Sequence, residues 1–282
     1  MTFLRAIVHM DLDTFFVSCE RLLDSRLEGR PILIGGLSDR GVVASCSYEA
    51  RRFGIHAAMP MKMARDRCPE AVVIKANSAT YSKYSRLVTE IIAEASPVYE
   101  KSSIDEFYID FTGMDKYFGT LRYASELRQR ILRETGLPIS FGLSQNKTVS
   151  KIATGEAKPN NQIKIEVGEE RDFLAPLSVR KIPMVGIKTY QTLCNLGVRK
   201  IQTIQEMPVR YLTHPDGSNI LAVTRHGRVA RPQHLLLDEA YLSSFGHLRL
   251  PQHLYTALQR FDAWIEPALL AEWARLIKGY AL

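Results

Sequence analysis

The stretch SSIDEFYIDF, residues 102–111, sets Asp105 and Glu106 side by side with Asp110 close behind, among residues that otherwise favour a strand. Adjacent carboxylates repel, and burying one is costly unless positive charge compensates it. A second acidic pair, Asp11 and Asp13, ends the apolar run RAIVHMDLD (5–13). Acid pairs of either kind are common on solvated loops, so the case for chemistry rests on their convergence. Three carboxylates that meet without His or Cys make a hard oxygen site suited to magnesium or manganese rather than zinc. Two such ions roughly 3.5–4 Å apart can hold a triphosphate, activate an attacking hydroxyl and stabilise the leaving oxygen.

The elements around these acids give a reason for them to converge. RAIVHMDLD reads as a buried strand ending at a site, and TFFVSCERLL after it as a helix. RPILIGG and GVVASCS are β-rich runs parted by Gly and Asp, as in a small sheet. Tyr81, Tyr84, Val88, Ile91 and Ile92 fall at helical spacing over 79–94, and Pro97 ends that segment. Strands around 98–101 and 106–111 form a hairpin turning near 102–105. A helix over 121–134 stops at Gly136. PISFGLS, NKTVSKIATGEA and QIKIEV then read as strand, helix and strand. With residues 20–78 set aside, the order is β–α–β–β–α–β, so the expected fold is α+β with a ferredoxin-like core. In that plan the first strand and the hairpin share a sheet, which brings Asp11 towards Asp105 and Glu106.

The 282 residues allow two or three domains, and 46% hydrophobic with 24% charged residues is a globular composition. A formal net charge of +7 leans towards a polyanionic partner such as nucleic acid. Cys19, Cys46, Cys68 and Cys194 are scattered with no CxxC pair, and no charged-then-apolar leader opens the chain. They read as free thiols of a cytoplasmic protein. The apolar runs are far too short to span a bilayer, which counts against a membrane role.

Taken together the motifs resemble one family. VHMDLDTFFVSCE, SSIDEFYID and GLSQNKTVSKIATGEAKPN (142–160) are similar, in order, to the three active-site motifs of the Y-family, translesion-type DNA polymerases, the DNA polymerase IV group above all. ASCSYEARRFGIHAAMPMKMA (44–64) resembles the family's fingers segment, and the resemblance covers about residues 5–165. It implies a palm (1–19 and 76–165), fingers (20–75) and a helical thumb (166–224). The implied activity is templated addition of deoxynucleotides to a primer 3′-hydroxyl, in low-fidelity synthesis across damage and in DNA repair. The partners are then primer–template DNA and deoxynucleoside triphosphates, and the cofactor is a pair of magnesium ions, with manganese as a substitute.

Carried over residue by residue, Asp11, Asp105 and Glu106 match the metal ligands, and the carbonyl of Leu12 adds one. Asp13 and Asp110 are expected to be structural, the first as a strand-end cap or ion pair and the second as a turn or helix-entry residue. Tyr48 and Arg51, three apart in YEAR, share one helix face; a phenol and a guanidinium fork there suit phosphate, and the family's phosphate-binding pair matches both. Arg52 is the bystander. Lys158 matches the family's third cation, and Ser45 places a small hydroxyl within reach of phosphate. Phe15 and Phe16 fall where the family contacts the nucleotide, and the aromatic matching Phe16 excludes a ribose 2′-hydroxyl. Ala44, Ala57, Ala58 and Gly54 leave a roomy pocket, a weak steric filter against mismatched bases.

IPMVGIKTYQTLCNLGV (182–198) has the layout of a helix–hairpin–helix whose turn, with Gly186 and Lys188, can take a DNA phosphate without reading sequence. Where the family carries Gly, this chain has Met184, which restricts backbone approach. Composition shifts near 213, RHGRVARPQH (225–234) reads as a basic linker, and the match stops at about Leu212. The family's separate C-terminal DNA-gripping domain and clamp-binding tail are not recognised in the 70 residues that follow, which counts against a sliding-clamp partner. Truncation with a changed reading frame, or fusion to an unrelated segment, would each produce such a break, leaving 225–282 as a divergent helical tail. Two other readings use the same carboxylates: a catalytically weak or silent DNA-binding remnant, and a two-metal phosphohydrolase or nuclease. The Tyr48–Arg51–Lys158 set, suited to a triphosphate, argues against the second.

Overall fold

The computed structural model describes residues 5–96, 98–114 and 119–206. They fall into two compact units, one ending at Val167 and one beginning at Gly168. The segments read from sequence beyond residue 206, including the linker and the tail helices, lie outside the described residues.

The first unit is built on a five-stranded sheet. Its strands are β1 (Ile7–Leu12), β5 (Tyr99–Lys101), β6 (Glu106–Asp110), β7 (Ile139–Ser144) and β8 (Gln162–Lys164), in the spatial order β5-β6-β1-β7-β8. All neighbours are antiparallel except β7 and β8. Helices α4 (Ser78–Ala95) and α5 (Thr120–Thr135) connect β1 to β5 and β6 to β7, giving the expected β–α–β–β–α–β order, and α6 (Lys147–Ala157) leads into β8. Asn77 and Asn146 cap α4 and α6 by accepting from the amides of Thr80 and Val149, and Gly136 ends α5 at φ 72.

Strand alternation gives the sheet two unlike faces. Val8, Met10, Leu12, Phe107 and Ile109 point into an apolar core shared with Val88, Ile92, Leu127 and Ile131 of α4 and α5. Each such side chain contributes roughly 1.5–3 kcal/mol by leaving water. The alternate positions His9, Asp11, Glu106 and Tyr108 lie on the face where α6 packs. Ser150 Oγ donates to the Ile7 carbonyl (2.8 Å) and Thr154 Oγ1 to that of His9 (2.8 Å), fixing α6 to β1. Gly142 of β7 permits this approach, because a Cβ there would lie 2.2 Å from the Ser150 carbonyl oxygen.

Between β1 and α4 runs α1 (Phe15–Leu23), then a three-stranded sheet in the order β3-β2-β4, formed by β2 (Ile32–Gly35), β3 (Val43–Cys46) and β4 (Val72–Lys75), with α2 (Tyr48–Arg51) and α3 (Met61–Arg67). β4, parallel to β2, is an addition to the two strands expected. β2 is buried on both faces: Ile32 and Ile34 join the main core, and Leu33 joins a second one with Val43, Met59 and Met61.

The second unit holds α7 (Glu170–Leu174), α8 (Ile187–Asn195) and α9 (Ile201–Glu206) around Leu174, Val179, Leu193, Ile201 and Ile204. A single 3-10 turn, Val179–Lys181, precedes the tight turn into α8, so the first limb of the expected hairpin is shorter than a helix. Among the described residues no helix is long and apolar enough to cross a membrane.

Candidate active site

β1 and β6 set Asp11 directly opposite Glu106. The Leu12 amide donates to the Asp105 carbonyl at 3.0 Å, tying the end of β1 to the hairpin turn. Ser103 shapes that turn: its Oγ accepts from the amides of Asp105 (3.3 Å) and Glu106 (3.1 Å) and donates to the Asp105 carboxylate (2.6 Å). The three acids expected from the sequence are thus brought to one strand end by backbone register.

Their carboxyls do not form a shared shell as they stand. Among the described residues no three His, Cys, Asp or Glu side chains are gathered as metal ligands. Instead each carboxyl has its own partner. Lys158 Nζ donates to Asp11 and, at 3.3 Å, to the Leu12 carbonyl; Lys151 Nζ donates to Glu106 at 2.6 Å; Asp105 holds Ser103. The backbone register brings the three acids to one strand end, and an ammonium group sits on Asp11 and another on Glu106. Burial pushes the Asp11 carboxyl up, to about 7, with Glu106 and Asp105 adding repulsion and Lys158 opposing both. The donor set, carboxylates and one carbonyl free of sulfur and imidazole, fits a hard divalent ion.

Asp13, two residues on, is the opposite case. It is 1% exposed and accepts from Ser140 Oγ (2.9 Å) and the Asn160 amide (2.6 Å). Asn160 in turn accepts from buried Arg128 at 2.8 Å. Asp13 therefore anchors the segment carrying Lys158 to the end of β1, the structural role expected. Asp110 also behaves as expected, accepting from the Thr112 amide (2.9 Å) in a turn.

Tyr48 and Arg51 share a face of α2, with the guanidinium 4.9 Å from the phenol ring centroid. Ser47 caps that helix and ties it to β2, accepting from the Ile32 amide at 3.0 Å. The Tyr48 hydroxyl reaches Asp13 at 3.5 Å, and burial, then Asp13, raises its pKa. Arg51 is exposed; Ser45 on β3 is half-buried. The two phenylalanines part company. Phe15 is 2% exposed and its ring packs in the core. Phe16 is half-buried and stacks on Tyr81 (centroids 4.4 Å, 16°), whose hydroxyl donates to Glu20 at 2.7 Å.

In the second unit Gly186 caps α8 and Lys188 is exposed in its first turn. Met184 sits at φ 70, a conformation that favours glycine.

Lys151, Ser140 and Asn160 were not among the residues singled out from sequence. Lys147 and Lys151 lie four apart on one helix, with Lys158 seven further on, a spacing that would have flagged a cationic stripe.

A sheet with this strand order, acids at one strand end and the YEAR helix beside them defines a family. Residues 10–155 match the model described as "IMS: impB/mucB/samB family", and the chain belongs to that family, the Y family its motifs resemble. The curated relatives include DNA polymerase IV of Dehalococcoides mccartyi (strain CBDB1), 41% identical over 211 residues, covering 74% of this chain and 54% of the relative. DNA polymerase IV of Treponema denticola is 38% identical over 201 residues, covering 71% and 51%. The chain thus spans about half the length of these relatives. Among solved structures, DinB from Sulfolobus solfataricus is similar with TM-score 0.68 and 29% identity, covering 73% of this chain and 62% of that one. An insertion ternary complex of Dbh DNA polymerase gives TM-score 0.66 at 28% identity, covering 73% and 62%. Residues 172–282 match a second model, "Domain of unknown function (DUF8808)".

Proposed function

We propose that this chain is a template-directed DNA polymerase of the low-fidelity, translesion type, joining deoxynucleotides to a primer 3′-hydroxyl by two-metal-ion phosphoryl transfer. The observation that carries the reading is the register of Asp11 opposite Glu106, with the Asp105 carbonyl bonded to the Leu12 amide. Family membership and the likeness to a Dbh ternary complex support it. Asp11, the Leu12 carbonyl, Asp105 and Glu106 would hold two divalent ions, magnesium for choice. When bound, such ions lower the charge on the phosphates and on the attacking and leaving oxygens.

The chain's own residues do the positioning. Tyr48 and Arg51, stacked together, present a hydroxyl and a planar fork to the β- and γ-phosphates, with Lys158 and Ser45 beside them. Phe16, backed by Tyr81, lies under the sugar and leaves no room for a 2′-hydroxyl. No side chain presents itself as a general base, so catalysis is alignment and charge stabilisation. In this reading residues 1–19 and 76–165 are the palm, 20–75 the fingers and 166–224 the thumb, where Gly186 and Lys188 meet a template or primer phosphate.

Primer extension with a deoxynucleoside triphosphate and magnesium, beside Asp105→Ala, tests this. Templated extension lost in the variant is the expected result. DNA binding without extension under any divalent ion would identify a silent remnant, and nucleotide release without a triphosphate requirement would identify a nuclease.

A further inference from the structure

Three lysines of the α6 segment each meet an acid of the sheet: Lys147 meets Glu100 of β5, Lys151 meets Glu106 of β6, and Lys158 meets Asp11 of β1. In every pair both partners are two-thirds or more shielded from water. An ammonium at such a carboxylate cannot simply leave, because the uncompensated charge would be expensive. It can only be exchanged for another cation. The inner two pairs occupy the atoms expected to ligate metal, and Lys158 touches the Asp11 carboxylate and the Leu12 carbonyl together.

The choice of residue points the same way. Where the fold needs a permanent buried cation it uses Arg128, bonded through its fork to the Ile139 carbonyl (3.0 Å) and Asn160 Oδ1 (2.8 Å). At the acids it uses lysine, a compact charge on a flexible four-carbon stem that can swing while its backbone stays put. The backbone of α6 is pinned to β1 by Ser150 and Thr154, so only the stems are free to move.

We propose that Lys151 and Lys158 are displaceable counter-cations, each ammonium holding its carboxylate while no divalent ion is bound and swinging off when one binds. In this role they act through Glu106 and Asp11, Lys158 turning towards the phosphates once it is off its acid, and the proposal rests on the reading of those acids as metal ligands. Lys147, whose partner Glu100 lies outside the cluster, keeps its pair throughout.

Manganese alone, without DNA or nucleotide, is titrated into the full chain and the free ion is followed by its electron paramagnetic resonance signal. K151M and K158M should bind manganese roughly 3- to 10-fold more tightly than the natural chain, since a competing cation is gone; K147M should bind as the natural chain does, and K151R, which keeps a less displaceable charge, should bind no more tightly than it. Equal or weaker binding by K151M and K158M overturns the proposal. E106Q and D11N separate the two levels. If they abolish binding while the lysine variants fail to tighten it, only the counter-cation role falls; if they leave binding unchanged, the metal reading falls and takes the proposal with it. Should K151M not fold in chelator, recovery of its circular dichroism in saturating manganese supports the proposal, and failure to recover overturns it.

Discussion

In the unit that ends at Val167, the acids are delivered by a sheet whose register sets Asp11 opposite Glu106, and every acid of the cluster has a partner. In the unit that begins at Gly168, the expected DNA contact rests on one tight turn. There Met184 is 76% exposed at φ 70 and Ile187 is 58% exposed. A site set by register keeps its geometry when a side chain changes and loses only the charge removed. A site set by one turn depends on the conformation of one or two residues. Changes in the first region should therefore be large and specific, and changes in the second small and general.

The largest effect belongs to the acids. Asp11→Ala and Asp105→Ala should each lower the primer-extension rate by roughly 10³-fold or more, the scale of losing preorganised charge stabilisation. Their melting temperatures should stay near the natural value, because neither side chain is needed to close the core. A loss of activity matched by unfolding would erase the contrast with Asp13.

Asp13→Ala should do the reverse. Its removal leaves Ser140 Oγ and the Asn160 amide without their buried acceptor, at a cost of roughly 2–4 kcal/mol. Chemical denaturation should show that loss, and extension should fall only as the folded fraction falls. A stable Asp13→Ala chain would mean that the AKPN segment is anchored elsewhere.

Phe16→Ala or Phe16→Val should raise ribonucleotide incorporation by at least ~10-fold, the worth of a lost steric contact. Competition between ribo- and deoxynucleotide on one template checks it, and unchanged sugar discrimination would remove Phe16 from the role.

The smallest effect is expected in the second unit. Met184→Gly relieves a left-handed conformation worth about 1 kcal/mol and bares the turn. DNA affinity should rise by a few-fold, with a steeper salt dependence. Affinity unchanged at low salt would say that this turn does not meet phosphate.

Much of the fold was legible because its signals are local. Pattern and caps gave the strand–helix order, Gly136 marked the end of α5, and the DE pair fell on the hairpin as read. What sequence hid is long-range or conformational. Asp13 is satisfied by Ser140 and Asn160, 127 and 147 positions away, and nothing in HMDLD announces them. Phe15 and Phe16 read alike until α1 turns one inward. Four residues of VVIK became a strand only by pairing with β2. Lys151 was visible as a lysine four from another, but its partner Glu106 was not.

Manganese soaked into crystals and located by anomalous scattering tests the central claim most directly. The expected result is a peak within coordination distance of both the Asp11 and Glu106 carboxylates, with Lys158 and Lys151 moved off them. No peak at that strand end, with both lysines still seated on the acids at saturating manganese, would contradict it.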